Sequence, residues 1–466
     1  MSANIYTQTT LATARAQLAE RLSDPTNQFW VTAELNSYII EALRTYNSLA
    51  RVWRQRGTLN TSPSTPFYDL PSLLAPSSLR SYSVTDQSLY LSICYSLLEP
   101  ASASPTWIGS EMFTSDDLTQ ALQRRLNLLF LSTFCNLSRQ TLTIAGGSSG
   151  RFQLSDSIID VRRAAWADSS TRVTSSLWVS DEWEMTSLTP LWNTTSGVPS
   201  VYSVSATTPL EFQFDAIPAS NGTLDFLATL DGPTLNPTLG SGIILSGIPD
   251  DFTWVLRWGA LADLLSLDGP ARDPARAAYC QARWTQGVEL LLISPVMIAT
   301  QINGATTQSV SLAELDRLYP TWQSDTPGTP SVVATCAQNL IAVYPLADSS
   351  PHSITCDVVA NMPVPSLDSD FLQVGVEILD PILDYAQHLA SFKMAGAEFD
   401  ATIPAYSRLL QIASRSNERL RASSLYKPLL EGHSTRDLKS RPRREAAPRS
   451  GPDPALPDLA IQGGDY

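Results

Sequence analysis

One stretch of the chain is written twice, and this repetition limits the fold more than any other feature. The first copy runs Trp192, Gly197, Pro199, Ser200, Val201, then Leu210, Phe212, Phe214, Pro218, and closes with Leu224 and Phe226. The second runs Trp322, Gly328, Pro330, Ser331, Val332, then Leu340, Ala342, Tyr344, Pro345, and closes with Ile354 and Cys356. Each copy reads as an aromatic anchor, a Gly-x-Pro-Ser turn, and strands with an apolar residue at every second position. Such spacing puts one face of each strand on a core, and Gly and Pro supply the turns. In this alignment Ala342 and Tyr344 are the counterparts of Phe212 and Phe214.

Each copy is followed by an acidic cap, Asp250 and Asp251 or Asp368 and Asp370, and then by two helical patterns. The first pair covers Phe252 to Leu265 and Pro274 to Leu292; the second covers Phe371 to Asp380 and Ile403 to Leu420. The expected fold class is α+β. It has an N-terminal helical hairpin or bundle, a tandemly duplicated unit of small antiparallel sheet plus helical hairpin, and an extended C-terminal tail.

Taken in order, the expected domains are a helical hairpin (1–56), a Pro/Ser-rich connector with short strands (57–114), and a helix completing the bundle (115–145). The two repeats follow (151–295 and 296–426), then a Pro-rich basic tail (427–466). Thr9 or Thr10 and then Thr32 are expected helix caps, and Leu35, Ile39, Ala42, Leu43 and Tyr46 make one apolar stripe. Within the connector, Tyr82–Val84 and Leu89–Tyr95 read as strands. The run from Asp116 to about Leu137 reads as a helix with Leu118, Leu122, Leu126, Leu129 and Phe130 inward. Ala145 to Gly150 reads as a hinge. The tail lacks the apolar surface to fold alone.

Composition excludes several function classes. Across 466 residues the formal charge is −14, so the molecule as a whole is not built to hold nucleic acid by counterion release. Five cysteines without a Cys-x-x-Cys pair do not make a disulfide framework or zinc knuckle. No signal-peptide pattern opens the chain, and its apolar runs are too short or interrupted to span a bilayer, so no membrane partner is expected. The three histidines, His352, His388 and His433, have no metal-ligand spacing, and Gly146 to Gly150 has no Lys-Ser/Thr of a phosphate loop. No metal and no cofactor is expected. Asp181, Glu182 and Glu184 beside Trp178 and Trp183 could serve a glycan hydrolase or simply begin a helix.

The run Asp24-Pro25, Phe29-Trp30, Glu34-Leu35, then Glu41-Ala42-Leu43-Arg44 resembles the opening of tailed-phage head-to-tail adaptor, or connector, proteins. The Trp and Gly-x-Pro pattern and the late Asp380-Pro381-Ile382-Leu383-Asp384 helix resemble the same family. That resemblance implies a non-enzymatic virion subunit, made in the host cytoplasm and located in the neck. Its partners would be further copies in a ring of twelve (or six, given the duplication), the portal protein, a tail or nozzle protein, and double-stranded DNA passing through the lumen. On this reading Trp30, Leu35, Ile39, Leu43, Trp192 and Trp322 face neighbours, and Arg441, Arg443 and Arg444 of the tail touch DNA or a partner. The alternative function is a tail- or baseplate-associated glycan-binding module or glycan hydrolase.

Overall fold

The computed structural model describes residues 8–75, 82–98, 112–188, 190–205, 209–236, 242–293 and 297–423; the C-terminal tail, with His433, Arg441, Arg443 and Arg444, lies outside them. The chain opens with α1 (Leu11–Arg21), α2 (Thr32–Ala50), β1 (Arg54–Asn60), β2 (Phe67–Asp69) and the single turn α3 (Leu70–Leu73). A long middle section follows, with α4 (Asp86–Leu97), α5 (Ser115–Thr133), β3 (Leu137–Ile144), β4 (Arg151–Gln153), β5 (Ile158–Asp168), β6 (Thr174–Val179) and α6 (Glu182–Leu188). It continues through β7 (Ser196–Gly197), β8 (Val201–Val204), β9 (Glu211–Phe214), β10 (Ile217–Pro218), β11 (Gly222–Leu230), α7 (Trp254–Ser266) and α8 (Pro274–Ile293). The last section contains β12 (Met297–Ile302), β13 (Ala305–Thr306), β14 (Gln308–Ser311), α9 (Leu312–Leu318), β15 (Val332–Thr335), β16 (Leu340–Tyr344) and β17 (Ser353–Val359). Helices α10 (Val376–Ser391), α11 (Gly396–Thr402), α12 (Pro404–Ser416) and α13 (Glu418–Ala422) complete it.

The duplication is visible in the strand order, and it reaches further than the aligned stretch. The middle section forms one seven-stranded sheet, β3-β11-β5-β6-β8-β9-β4. Apart from β7 and β10, which pair with each other, the remaining strands repeat that order as β1-β17-β12-β13 and β14-β15-β16-β2, with β13 and β14 together in the place of β6. The sense of each pairing repeats as well: β6 and β8 are parallel, as are β14 and β15, and the other neighbours are antiparallel. The outer copy therefore takes the edge strands of its two four-stranded sheets, β1 and β2, from before the inner copy begins. An inner copy, residues 85–293, is inserted between β2 and β12 of an outer copy. The strands of the Pro/Ser-rich connector are edges of the later sheet.

The helices obey the same correspondence. Thr10 caps α1 and bridges Phe371; Thr85 caps α4 and bridges Ile244. Both α2 and α5 end on a left-handed residue, Arg51 and Phe134, where a backbone turn into the first strand is made. Helix α2 packs on α10 and α12, as α5 packs on α7 and α8. Leu118, Leu122, Leu126, Leu129 and Phe130 are all buried, as the 3.6-residue period requires.

Several local expectations are corrected. Leu89–Tyr95 lies within α4, capped by the Thr85 hydroxyl; a short apolar run does not distinguish strand from helix. Thr32 is the first residue of α2, behind a Val31 cap position with no side-chain bond, so Thr32 is not the cap. Helix α5 stops at Thr133, and Leu137 opens β3. The 145–150 segment is tied down: Gly146 N–H donates to Asn221 Oδ1 at 2.8 Å and Gly147 N–H to the Pro218 carbonyl at 2.8 Å. The aligned register is also off by one in β16. Phe212 and Phe214 face the core of the inner sheet with Trp166 and Leu224, whereas Ile341 and Val343, not Ala342 and Tyr344, face the corresponding outer core with Ile354 and Cys356. Leu340 and Ala342 point to the opposite side, because a one-residue slip in a strand reverses its faces.

Candidate functional site

The side of the outer sheet bearing Leu340 and Ala342 is covered by the inner copy. Phe67, Val310, Leu315, Trp322, Val332, Ala334 and Leu346 form one cluster there with Leu137 of β3 and Leu227 of β11. The contact is heterologous: one face of the outer sheet meets a different face of the inner sheet.

A charged centre fixes its register. Asp316, in the second half of the short helix α9, receives two 2.8 Å hydrogen bonds from the Arg163 guanidinium on β5. Its Oδ1 also accepts from Trp322 Nε1 at 2.9 Å and Ser176 Oγ at 2.8 Å. Burial pushes the Asp316 carboxyl up, but Arg163, Trp322 and Ser176 outweigh it and hold it below the ordinary aspartate range. The same guanidinium stacks over Trp322 and Phe67, where a cation is attracted by the ring faces. Gln323 Nε2 donates to Asp225 Oδ2 at 2.8 Å, and Asp225 is itself paired with Arg139. At the rim, Asn339 Nδ2 donates to the Leu137 carbonyl at 2.8 Å and Gln338 Nε2 to the Leu291 carbonyl at 2.6 Å. The tip of the β15–β16 hairpin thus lies between the start of β3 and the end of α8.

A second contact joins the copies through their helices. Arg257 of α7 is fully buried against Glu41 of α2 and donates to Ser96 Oγ at 2.8 Å. Arg283 of α8 donates to Tyr385 Oη at 2.9 Å and lies 3.2 Å from the Tyr406 ring centroid. Asn47 Nδ2 donates to Asp251 Oδ2 at 2.5 Å. Burial pushes the Asp251 carboxyl up to about 7. One hydrophobic cluster runs through the helices of both copies.

The candidate residues from the sequence fall into two groups. Trp30, Leu35, Ile39 and Leu43 are buried by the chain's own helices. Trp30 Nε1 donates to the Ala390 carbonyl at 3.2 Å, and the Asp24 carboxylate accepts the N–H groups of Trp30, Gln28 and Phe29, which gives the Asp-Pro loop its shape. Trp192 and Trp322 occupy corresponding places. Each indole N–H donates to the residue six positions earlier, Thr186 at 3.2 Å and Asp316 at 2.9 Å. Trp322 lies in the contact between copies, and Trp192 stacks under Arg151. Sequence reasoning missed Arg163, Asp316 and Arg139. The shared six-residue interval from α6 or α9 to the Trp is the signal that marks Asp316; Arg163 has no local signal.

Asp181, Glu182 and Glu184 are exposed. Asp181 Oδ1 caps the Glu184 N–H at 2.7 Å, Glu184 Oε2 accepts from Ser180 Oγ at 2.6 Å, and Glu182 pairs with Arg151. They form a helix start with no enclosed acid pair. His388 is held between Tyr279 Oη at 2.6 Å and Thr402 Oγ1 at 2.9 Å, and His352 between Asn303 and Asp348. Among the described residues no group of three His, Cys, Asp or Glu side chains could hold a metal ion, and no helix is long and apolar enough to cross a membrane.

Residues 95–293 match the family model described as SU10 adaptor protein. Over that span the chain is similar to phage adaptor proteins. The matched span coincides with the inner copy from within α4 to the end of α8, whereas the Asp24 to Arg44 motif belongs to the outer copy. No curated protein matches the sequence.

Proposed function

Taking kinship with phage adaptor proteins as the premise, we propose that this chain is a structural, non-enzymatic subunit of a virion neck. It forms a ring below the portal, joins capsid to tail, and lets double-stranded DNA pass through the lumen. The observation that carries this reading is the heterologous contact around Arg163 and Asp316. One adaptor-like unit is already docked on another within a single chain, and a contact between unlike faces is the kind that propagates around a ring. Six chains would carry twelve such units. The net charge of −14 suits a lumen along which DNA slides, because like charges do not grip it. The test is a reconstruction of the particle: the chain is expected as a ring between portal and tail, and its absence from the neck would overturn the reading.

The glycan-hydrolase alternative makes Glu184 a working carboxylate. The structure offers it Ser180 and a helix N-terminus as partners, so a glycan turnover assay is expected to show no activity, and none lost in Glu184→Gln.

A further inference from the structure

The contact inside the chain uses two faces, and each copy has both. The outer copy presents its α9 and Trp322 face, here called the head, to the β3, β5 and β11 face of the inner copy, here called the tail. Among the described residues, the head of the inner copy and the tail of the outer copy are left over. We infer that these two remaining faces bind each other between successive chains, so that the occupant of each is a second copy of this protein. The inference rests on the ring reading above and adds the surfaces that build the ring.

The outer tail is located by register. Arg54 pairs with Val359 as Leu137 pairs with Thr229, and Arg56 pairs with Asp357 as Arg139 pairs with Leu227. Arg54 therefore stands where Leu137 receives Asn339 in the internal contact. Beside it opens a groove of about 900 Å³, lined by Arg51, Arg54, Arg56, Asp357, Arg415 and Glu418. It runs between the start of β1 and the end of α12. The corresponding place in the inner copy, between the start of β3 and the end of α8, is filled by Gln338 and Asn339.

The inner head is located by its capping pattern. Asp181 caps the Glu184 N–H as Ser311 caps the Glu314 N–H, and Trp192 bonds back to Thr186 as Trp322 bonds back to Asp316. Around this element Trp178 is 71% exposed, Trp183 87%, Leu191 66% and Val198 60%. A single 178–198 stretch with that much open apolar surface is a docking face. Asp181, Glu182 and Glu184 lie among these residues. The helical side agrees. Counted back from the left-handed helix ends Arg51 and Phe134, Thr45 and Ser48 correspond to Leu128 and Leu131. Thr45 and Ser48 are buried, Ser48 against Trp254, whereas Leu128 and Leu131 are about two-fifths exposed.

The chemistry of the two faces is complementary. The internal contact is made by arginines of the tail meeting an acid and aromatic rings of the head. The free faces do not repeat Arg163 and Asp316, whose counterparts by register are Ile298 and Thr186. They carry the same classes of group at other positions: Arg54 and Arg56 on the tail, where Arg56 also pairs with Asp357, and Asp181, Glu184 and the exposed tryptophans on the head. Charge-assisted bonds and cation–π stacking both serve such a joint.

The experiment uses the full-length protein and native mass spectrometry. A head variant, Trp183→Glu, and a tail variant, Arg54→Glu with Arg56→Glu, change exposed side chains, and unchanged circular dichroism verifies that both fold. Wild type is expected to give oligomers, and each variant alone only monomers. An equimolar mixture is expected to give heterodimers and nothing larger, because only one intact head meets one intact tail. Oligomers that persist in either variant, a mixture that stays monomeric, or a monomeric wild type would overturn the joint. None of these outcomes decides the ring reading, which the particle reconstruction tests separately.

Discussion

Arg163 and Asp316 stand 153 positions apart in the chain and meet through two parallel hydrogen bonds of 2.8 Å each. One belongs to the inner copy and the other to the outer copy, so this pair is where the two repeats recognise each other. Four consequences can be measured.

Removing one member of a buried ion pair leaves the other charge without its partner and costs about 3–5 kcal/mol. The Arg163 and Asp316 side chains are 6% and 19% exposed, so Arg163→Ala is expected to fall in that range by chemical denaturation. The half-exposed pair of Arg151 and Glu182 provides the contrast. Arg151→Ala is expected to cost about 1 kcal/mol or less. Equal losses would show that the contact between copies is not held by this pair.

Trp322 and Trp192 have matching roles within their copies, but Trp322 also fills the contact between them. Truncating a buried Trp costs about 3–5 kcal/mol. Trp322→Ala is expected at the top of that range and Trp192→Ala below it, read as the difference in denaturation midpoints.

At Gly222 a Cβ would come within 2.2 Å of the Trp166 ring, which is itself buried. The indole cannot retreat without disturbing Phe214, its edge-to-face neighbour. Gly222→Ala is expected to cost about 1–3 kcal/mol as overpacking, measured by thermal unfolding. A neutral result would show that β11 can move away from β5.

Two buried groups tilt the pH profile in opposite directions. Burial raises the Asp251 carboxyl to about 7 from an ordinary 3.8. The folded state therefore keeps its proton longer, and stability falls as pH rises from about 4 to 7. Burial, with Arg283 and Arg257 nearby, lowers His388 to about 3 from 6.5, so stability falls as pH drops from about 6.5 toward 3. Between pH 4 and 6.5 the slopes oppose each other in the wild type. Asp251→Asn is expected to leave a curve that rises with pH, and His388→Gln one that falls. Thermal midpoints at pH 4.5 and 6.5 check the signs, and identical slopes in both variants would refute the assignment.

Much of the fold was legible in the residues. The stripes of α2 and α5 follow the helical period, and the paired Trp and Gly-x-Pro turns mark equivalent places in both sheets. The short runs were harder. Leu89–Tyr95 alternates like a strand, yet it begins behind a Thr85 cap and belongs to a helix. The register of β16 also escaped, because its residues are buried on both faces and no polar side marks which way it points. The Leu35, Ile39 and Leu43 stripe was recognised as apolar, but which surface covers it was beyond local reading.

The sequence by itself determined that a unit of sheet and helices is present twice, since periodicity and turn chemistry are properties of neighbouring residues. The tertiary structure decided that one unit is threaded into the other, with β1 and β2 completing a sheet whose remaining strands start at Met297. It also decided which faces the two copies use on each other. The pairing of β1 with β17 and the ion pair of Arg163 with Asp316 are made across more than a hundred residues, and their energy depends on proximity in space, which no window of sequence contains.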